Sequence, residues 1–475
     1  MLQTVAKKGN FIANVFFPGL LMITFSLNGF GQTEARMAEY LDGQSKYFGF
    51  NGNVLVAEKG KVVFQHSYGF ANFDTKHLLN DSTVFELASV SKQFTATAIL
   101  MLKDRGKLKL TDSLRQYFPE LPYTGISLHQ MLCHTSGLPD YEEGMVEKWD
   151  KTKIAFNRDM IDFLAKEKPP VLFAPGAQWL YSNTAFAILA SIVEKVSGQS
   201  FSSFMMANVF KPLQMKSTRI YNTRRSLKDT ITNFAYGFVF DKRQNKYAMP
   251  DSIPDLNYVY FLDGIFGDGV VNSTTADLLK WDRAVKSHTL LTKNTQEQML
   301  ADQSMADTLR KAHYGYGVFL EDNDLGRVIS HSGGWPGYIT FLSRIVEKDQ
   351  TLIVLSNNAS RSPAVAQGLQ QILNGKPVEM PYEHKAIAMD SVSLKKFEGA
   401  YKGKKSQLVI KTEGNKLFRV AGNGQKIELV PESAGKFFIN DGSDRQVIFS
   451  INGNNMVENA RLVEYGVTME MVKAN

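Results

Sequence analysis

Strand-like segments stand at both ends of the first 375 residues, and the long helical region between them restricts the possible folds more than any other feature. Residues 53–58 and 61–68 alternate apolar and polar side chains around Lys59-Gly60, a pattern that predicts a β-hairpin. Further strands are predicted at residues 316–320, 328–331, 338–346 and 351–356. Because helices separate the two groups of strands, both groups must join one sheet with the helical region packed beside it.

Apolar spacing places helices before, between and after these strands. One helix is predicted over residues 33–48 and another from Ser89 to residue 105, where Gly106 ends it. Residues 108–215 are mostly helical, and a last helix covers residues 364–373. The fold class of this region is therefore α+β.

A break follows the last of these helices. Residues 375–384 carry two prolines and little periodicity, which indicates a linker. Residues 394–472 consist of short alternating runs split by Gly, Asn and Asp, and these predict a small all-β barrel or sandwich. The predicted units are a leader at 1–31, an α+β domain at 32–375, a linker at 376–390 and a barrel domain at 391–475.

The leader has the pattern of a secretory signal peptide. Lys7 and Lys8 precede an apolar stretch at residues 16–27, and small residues follow at Gly29 and Gly31. We expect cleavage after Gly31 and export to the periplasm or the medium. The alternative is an uncleaved membrane anchor, although the apolar stretch is shorter than the roughly 20 residues that a membrane span needs.

Charge and composition exclude several other classes of protein. The net charge of +7 falls to +5 without the leader, since residues 1–31 hold two lysines and no acid, and no basic stripe predicts nucleic-acid binding. The eight histidines are scattered, so neither a metal nor another cofactor is expected. The single cysteine, Cys133, is predicted to be a buried structural thiol. The expected partner is a small-molecule or peptide substrate, and no feature sets an oligomeric state.

The first candidate for chemistry is Ser89-Val-Ser-Lys92, at the start of a predicted amphipathic helix. Residues three apart on a helix face the same way, so Lys92 can reach the hydroxyl of Ser89. A lysine that accepts a proton activates a serine hydroxyl as a nucleophile. Ser-x-x-Lys also occurs at Ser393 and Ser433, but in the β-rich C-terminal region, without a predicted helix start.

The second candidate is Tyr181-Ser-Asn183, which precedes a predicted helix over residues 184–196. In extended backbone, residues two apart point the same way, so a phenol and an amide face one cleft. The alternative is that Asn183 only caps the helix that follows.

The third candidate is His331-Ser-Gly-Gly334, at the end of a predicted strand. Glycines let a substrate lie close to the backbone, and exposed N–H groups can hold an oxyanion. The tripeptide His-x-Gly also occurs at His313, so the glycine pair and the strand context single out His331.

Together, in this order, these elements resemble the motifs of the serine β-lactamase and penicillin-binding-protein family, especially its class C, esterase and D-aminopeptidase branch. The resemblance covers about residues 34–375. It includes the flanking sequences Phe85-Glu-Leu-Ala-Ser89, Leu132-Cys-His-Thr-Ser-Gly-Leu138 and Asp277-Leu-Leu-Lys-Trp281. It implies a β-lactamase-like antiparallel sheet flanked by helices with a helical subdomain. The C-terminal barrel is similar to the lipocalin-like domain often attached to such hydrolases.

The resemblance also implies roles by position. Ser89 is the acylated nucleophile, and Lys92 and Tyr181 together take its proton. The residues assigned to the substrate are Asn183, His331 and Gly333. The backbone N–H groups of Ser89 and Gly334 form the oxyanion hole.

One departure from the family pattern bears on the substrate. His331-Ser-Gly333 stands where β-lactamases have Lys-Thr-Gly, so the fixed charge that binds a substrate carboxylate is missing. We expect His331 to line the groove, mostly neutral at pH 7.5, and β-lactams not to be the main substrate. The alternative is that His331 only hydrogen-bonds its neighbours and holds the end of the strand in place. The predicted function is an exported serine hydrolase that cleaves an ester or amide, including D-amino-acid peptides or esters, through an acyl-enzyme. Two alternatives stay open: a penicillin-binding sensor or binding protein that turns over poorly, and a true β-lactamase.

Overall fold

The computed structural model describes residues 20–220, 230–308, 311–403 and 407–474, with side chains from residue 31 onward. The helices in these ranges are α1 (Leu20–Phe48), α2 (Lys92–Asp104), α3 (Leu114–Tyr117), α4 (Leu128–Leu132), α5 (Tyr141–Lys148), α6 (Asn157–Glu167), α7 (Asn183–Ser197), α8 (Phe201–Met205), α9 (Tyr258–Phe261), α10 (Thr275–Lys286), α11 (Lys293–Met299), α12 (Ser362–Leu373) and α13 (Ser391–Lys395).

The largest sheet is antiparallel and draws on both ends of the α+β domain. Its strands are β1 (Gly52–Glu58), β2 (Lys61–Tyr68), β10 (Ser304–Asp307), β11 (Ala312–Tyr314), β12 (Phe319–Asn323), β13 (Gly326–Trp335), β14 (Tyr338–Ile345) and β15 (Gln350–Ser356). They lie in the order β10-β11-β12-β13-β14-β15-β1-β2. The prediction of one sheet from two separated groups of strands is confirmed, because β1 pairs with β15 along its whole length.

Helices cover both faces of this sheet, which explains why its central strands are apolar throughout. Along β1, Val54 and Val56 pack in the cluster that contains α1 and α12, whereas Leu55 and Ala57 join the larger core around α2 and α7. Successive strand residues point to opposite faces, so a strand between two helical layers needs apolar side chains on both. The helical subdomain packs on the second face.

Seven short strands of the α+β domain lie outside the large sheet and form small sheets of two or three strands. They are β3 (Phe70–Asn72), β4 (His77–Leu78), β5 (Phe85–Glu86), β6 (Arg219–Ile220), β7 (Val239–Asp241), β8 (Lys246–Ala248) and β9 (Val271–Ser273). β5, β9 and β6 form a three-stranded sheet directly before the segment that carries Ser89. This small sheet ties the start of α2 to the loop before β9.

The C-terminal region is a closed eight-stranded barrel, as predicted. Its strands are β16 (Gly399–Lys402), β17 (Gln407–Glu413), β18 (Lys416–Val420), β19 (Lys426–Pro431), β20 (Lys436–Ile439), β21 (Gln446–Ile451), β22 (Val457–Glu464) and β23 (Val467–Lys473). Its interior is filled by its own side chains, among them Phe397, Phe437 and Phe449.

The barrel docks on the helices of the α+β domain rather than hanging from a free linker. The Tyr40 hydroxyl of α1 donates to the Tyr465 carbonyl at 2.9 Å, and Gln44 donates to the Asp444 carboxylate. Tyr465 belongs to the apolar cluster beneath α1 and α12. The predicted linker has no helix or strand between residues 376 and 390, but it follows the barrel, since Ile387 N–H donates to Pro431 O.

The predicted leader lies mostly outside the described residues, because residues 1–19 are not described. α1 begins at Leu20 and continues through the expected cleavage position to Phe48, so it contains the predicted helix over residues 33–48. In the described part of the chain, no helix is both long enough and apolar enough to cross a membrane.

Candidate active site

Ser89 lies in a short 3₁₀ turn, Ala88–Ser91, that leads directly into α2. A 3₁₀ turn has three residues per turn, so side chains three positions apart are eclipsed. Lys92 accordingly directs its Nζ at Ser89, and the Nζ–Oγ distance is 3.2 Å. The Ser-Lys contact that the spacing predicts is present at this copy.

The two other Ser-x-x-Lys copies do not have this geometry. Ser393 Oγ donates to Asp390 at 2.8 Å, and Lys396 Nζ donates to Asn455 at 2.9 Å. Ser433 and Lys436 are joined through their backbones. One expectation was wrong in detail, because α13 begins at Ser391 and gives Ser393 a helical context. The serine and its lysine nevertheless bind different partners.

Lys92 is fully buried, and three acceptors surround its ammonium group. Nζ donates to Ser89 Oγ, to Asn183 Oδ1 at 2.7 Å and to the backbone oxygen of Asp268 at 2.9 Å. A buried cation is costly unless hydrogen bonds replace its water. The three contacts supply those bonds and fix Nζ beside the Ser89 hydroxyl.

Backbone strain occurs at the first residue of the 3₁₀ turn and in a neighbouring loop. Ala88 has a φ of 48°, and Val270 in the neighbouring loop has a φ of 63°. A β-branched residue in this region is a true outlier, and such strain persists only where the surroundings enforce it. Here Leu87 N–H donates to Val271 O at 2.8 Å, and Val271 N–H donates to Ser91 Oγ at 3.1 Å. These bonds lock the turn to β9.

Tyr181 is held by His134, a residue to which the sequence analysis gave no role. The two ring centroids lie 4.3 Å apart. The backbone N–H groups of Leu180 and Ser182 donate to the carbonyl and to Nδ1 of His134, at 2.9 and 3.1 Å. Burial lowers the pKa of His134 far below its usual value, which keeps Nδ1 free to accept. The sequence feature that could have revealed this role is the flanking sequence 132–138, because it contains His134, which holds Tyr181 in place.

The Tyr181 hydroxyl is buried and has no hydrogen-bond partner among the residues that the structure describes. Its ring lies against Lys92, with Nζ 4.7 Å from the centroid. An unpaired buried hydroxyl costs about 1–3 kcal/mol. This hydroxyl therefore remains available to exchange a proton with a reacting group.

Asn183 joins Lys92 to an acidic residue that the sequence analysis missed. Its Oδ1 accepts from Lys92, and its Nδ2 donates to Glu142 Oε1 at 2.8 Å. The alternative role as a helix cap is not observed, because Ser182 caps α7 by accepting from Ala185 N–H at 3.1 Å. One N–H and one lone pair of the amide stay free for a substrate.

Strand β13 runs further than predicted and includes the whole glycine pair. It pairs with β14 as far as Trp335, but its pairing with β12 stops at Ser330. Residues 331–335 are therefore paired on one side only and present a free backbone edge beside the 3₁₀ turn. Gly334 lines the same cleft as Ser89, where the oxyanion hole is expected, and a Cβ on it would meet nothing within 4 Å.

Gly333 allows close packing of β13 against its neighbours. A Cβ there would lie 2.1 Å from Leu87 O and 2.3 Å from Thr340 Oγ1. Thr340 Oγ1 also donates to Leu87 O at 2.6 Å, which fastens β14 to the residue before the turn. Gly333 therefore brings β13 against the turn that carries Ser89, and its assignment to the substrate stays a prediction.

His331 lies beneath the strand and not in the groove, which corrects the expectation from sequence. Its side chain is 1% exposed, and its ring nitrogens meet the Tyr314 hydroxyl at 3.0 Å and the Ser332 carbonyl at 2.6 Å. Strand alternation turns Ser332 outward instead. Burial and the nearby Lys92 lower the pKa of His331 to about 3, so its ring is neutral near pH 7.

A cleft opens beside Ser89, Asn183 and Gly334. Four carboxylates line it, and among the described lining residues there is no lysine or arginine: Glu86, Glu142, Asp263 and Asp268. The sequence analysis gave a role to none of the four, and three of them, Glu142, Asp263 and Asp268, lie far from Ser89 in the chain. The Tyr141 hydroxyl donates to Asp268 across 127 residues, at 2.9 Å.

Cys133 is buried and unpaired, as predicted. Burial raises the pKa of its thiol, which removes it from consideration as a nucleophile.

An α+β domain in which a Ser-Lys pair lies against a tyrosine ring, beside a half-paired strand edge and a cleft, is the architecture of serine β-lactamases and penicillin-binding proteins. The β-lactamase family model matches residues 42–375, and the chain belongs to this family.

Individual relatives point to the same branch. "Penicillin-binding protein 4*" of Bacillus subtilis is 38% identical over 400 residues, which is 82% of this chain and 88% of the relative. A D-aminopeptidase of Brucella anthropi is 25% identical over 346 residues, 73% of this chain and 63% of the relative. The octameric penicillin-binding protein homologue from Pyrococcus abyssi has a similar structure, with a TM-score of 0.65 at 23% identity over 93% of this chain and 99% of that one.

Proposed function

We propose that this protein is an exported serine hydrolase that cleaves an ester or amide through an acyl-enzyme on Ser89. The observation that carries the proposal is the 3.2 Å contact between Lys92 Nζ and Ser89 Oγ, at the mouth of an open cleft. Export rests on the leader pattern around Lys7 and Lys8. Membership of a hydrolase family supports turnover.

In the proposed reaction, Ser89 Oγ attacks the carbonyl carbon of the substrate. Tyr181 and Lys92 act together: Tyr181, as the phenolate, takes the hydroxyl proton and returns it to the departing amine or alcohol, while the Lys92 ammonium group stabilises the phenolate charge. The N–H groups of Ser89 and Gly334 stabilise the negative oxygen of the tetrahedral intermediate. Water then hydrolyses the ester on Ser89, which releases the acid and restores the enzyme.

The contacts of Asn183 support a positioning role in this scheme. It accepts from Lys92 and donates to Glu142, so it holds the ammonium group at a fixed distance from Ser89. Its remaining hydrogen-bonding capacity suits the amide of a peptide substrate.

Two features argue against β-lactams as the main substrate. His331 is buried and neutral, so it offers no charge to a substrate carboxylate. The described residues that line the cleft include no lysine or arginine, so none of them offers a cation to a substrate carboxylate. The relation to a D-aminopeptidase supports amides or esters of D-amino acids as candidate substrates.

Hydrolysis of p-nitrophenyl acetate tests the proposal. We expect sustained release of p-nitrophenol by the wild type and none above background by Ser89→Ala. Ser393→Ala is the matched control, since it removes the serine of another Ser-x-x-Lys copy, and it should retain full activity. A burst of one equivalent with negligible turnover would instead identify a sensor that is acylated but deacylates poorly.

A further inference from the structure

The loop before β9 holds the buried ammonium group of Lys92 through its backbone. Asp268 O accepts from Lys92 Nζ at 2.9 Å, and Gly267 O accepts from the Thr95 hydroxyl, about one turn further along α2, at 2.6 Å. Gly267 has a φ of 107°, and a Cβ there would lie 2.4 Å from the Cβ of Ala190 in α7. The loop is therefore fixed between α2 and α7, and Asp268 is fixed with it.

The carboxylate of Asp268 is buried near the same ammonium group. Asp268 is 7% exposed, and its Oδ2 accepts from the Tyr141 hydroxyl at 2.9 Å. Burial raises the pKa of Asp268, whereas the charge of Lys92 and the hydrogen bond from Tyr141 lower it. The carboxylate and the ammonium group therefore stabilise each other's charge, as opposite charges in a poorly solvated region do.

The other ionisable groups around Lys92 carry little charge near neutral pH. Glu142 on α5 also faces Lys92, but burial and Asp268 raise its pKa to about 8, so it is mostly protonated at pH 7. His134 and His331 are neutral, because burial and Lys92 lower the pKa of both rings. Among the described residues, this leaves Asp268 as the anion that balances the charge of Lys92.

The groups that face Asp268 from the start of α5 do not change this balance. Burial and Asp268 raise the pKa of Tyr141 well above its usual value, so its hydroxyl stays protonated and donates. Asp140 caps α5 and is exposed, so solvent screens its charge. Tyr181, whose ring lies 4.7 Å from Lys92 Nζ, takes part in the proposed reaction itself.

We propose that Asp268 is a positioning residue, whose carboxylate keeps Lys92 charged and so keeps its ammonium group beside Ser89 and Tyr181. The inference rests on the proposed function and adds a residue that acts through Lys92. Lys92 donates to three acceptors, which takes all three N–H groups of an ammonium ion. Loss of its proton would leave one acceptor unpaired and would remove the charge that stabilises the Tyr181 phenolate.

The pH dependence of kcat/KM on p-nitrophenyl acetate tests this role in Asp268→Asn. The variant keeps the backbone oxygen that binds Lys92 and the size of the side chain, but it loses the negative charge. Neighbouring groups then lose their protons more readily, so the whole profile should move to lower pH by about one unit or more. Glu143→Gln is the matched control, since it removes an exposed charge from α5, and its profile should equal that of the wild type.

A second comparison separates Asp268 from Glu142, which titrates in the same pH range. Asp268→Asn added to a Glu142→Gln enzyme should produce the same displacement of the profile. A displacement that disappears in this background would identify Glu142 as the titrating group and overturn the inference. If circular dichroism shows that Asp268→Asn does not fold, Asp268→Ser removes the charge with a smaller side chain and should give the same displacement.

A purely structural role of Asp268 would lower kcat/KM equally at every pH. That result, or an unchanged profile, would overturn the inference and leave the hydrolase intact. If the ester is not turned over, the rate at which a fluorophosphonate acylates Ser89 replaces kcat/KM and should show the same displacement in Asp268→Asn. Absence of acylation at every pH would contradict the proposed function itself, and this inference with it.

Discussion

A methyl group added at Gly333 should disconnect the strand edge from the nucleophile. In Gly333→Ala, the new Cβ would lie 2.1 Å from Leu87 O and 2.3 Å from Thr340 Oγ1. Ordinary contacts of this kind exceed about 3 Å, so β13 must move away from the turn by roughly an ångström. Overpacking of this kind costs about 1–3 kcal/mol of stability.

The same displacement carries Gly334 away from Ser89. Removing one donor from an oxyanion hole lowers kcat by about 10²–10³-fold, and a 1 Å misplacement costs about 10²-fold. We therefore expect Gly333→Ala to lose about 10²-fold in kcat/KM on p-nitrophenyl acetate, and urea unfolding to show the lower stability.

Gly334→Ala supplies the control for stability. It adds the same methyl group one residue later, where nothing lies within 4 Å, so its unfolding midpoint should match that of the wild type. Wild-type kcat/KM in a folded Gly333→Ala enzyme would refute the argument, because it would mean that the contact of β13 with the turn does not set the geometry of the site.

Three further predictions test other parts of the structure. Tyr181→Phe removes only the unpaired hydroxyl and should lower kcat/KM by about 10²–10⁴-fold. Tyr123→Phe is the control, because it also removes a buried unpaired hydroxyl, and it should leave kcat/KM unchanged. Equal kcat/KM values for the two variants would exclude Tyr181 from proton transfer. His331 is neutral when folded, with a pKa of about 3, so the unfolded chain binds the extra proton and stability falls as pH drops below about 6.5. In urea titrations at pH 7 and pH 5, His331→Gln should reduce that fall by up to about 2 kcal/mol, and an unchanged fall would contradict the burial of a neutral ring. Tyr40→Phe removes the hydrogen bond to the barrel and should lower the unfolding free energy by about 1–3 kcal/mol with kcat/KM retained; unchanged stability would mean that the barrel is only tethered.

The parts of the site that sequence could predict are those set by local geometry. Ser89 and Lys92 are one turn apart, so their contact follows from helical spacing alone. Tyr181 and Gly334 were found through motifs whose order along the chain resembles a known family. The single sheet followed from the order of strands and helices.

The parts that sequence could not predict depend on packing between distant segments. The burial of His331 depends on which face of β13 meets the core, and the half-paired edge depends on where β12 begins. Glu142 and Asp268 meet only because α5 and the loop before β9 pack together. The docking of the barrel through Tyr40 could likewise not be predicted, because the composition of the linker indicated only a break between two domains.

Intact-mass analysis after treatment with a fluorophosphonate tests the central claim most directly. The wild type and Ser393→Ala should each gain one adduct, and peptide mapping should place it on Ser89. Ser89→Ala should gain none. An adduct that persists in Ser89→Ala, or that maps to another residue of the wild type, would contradict the assignment of Ser89 as the nucleophile.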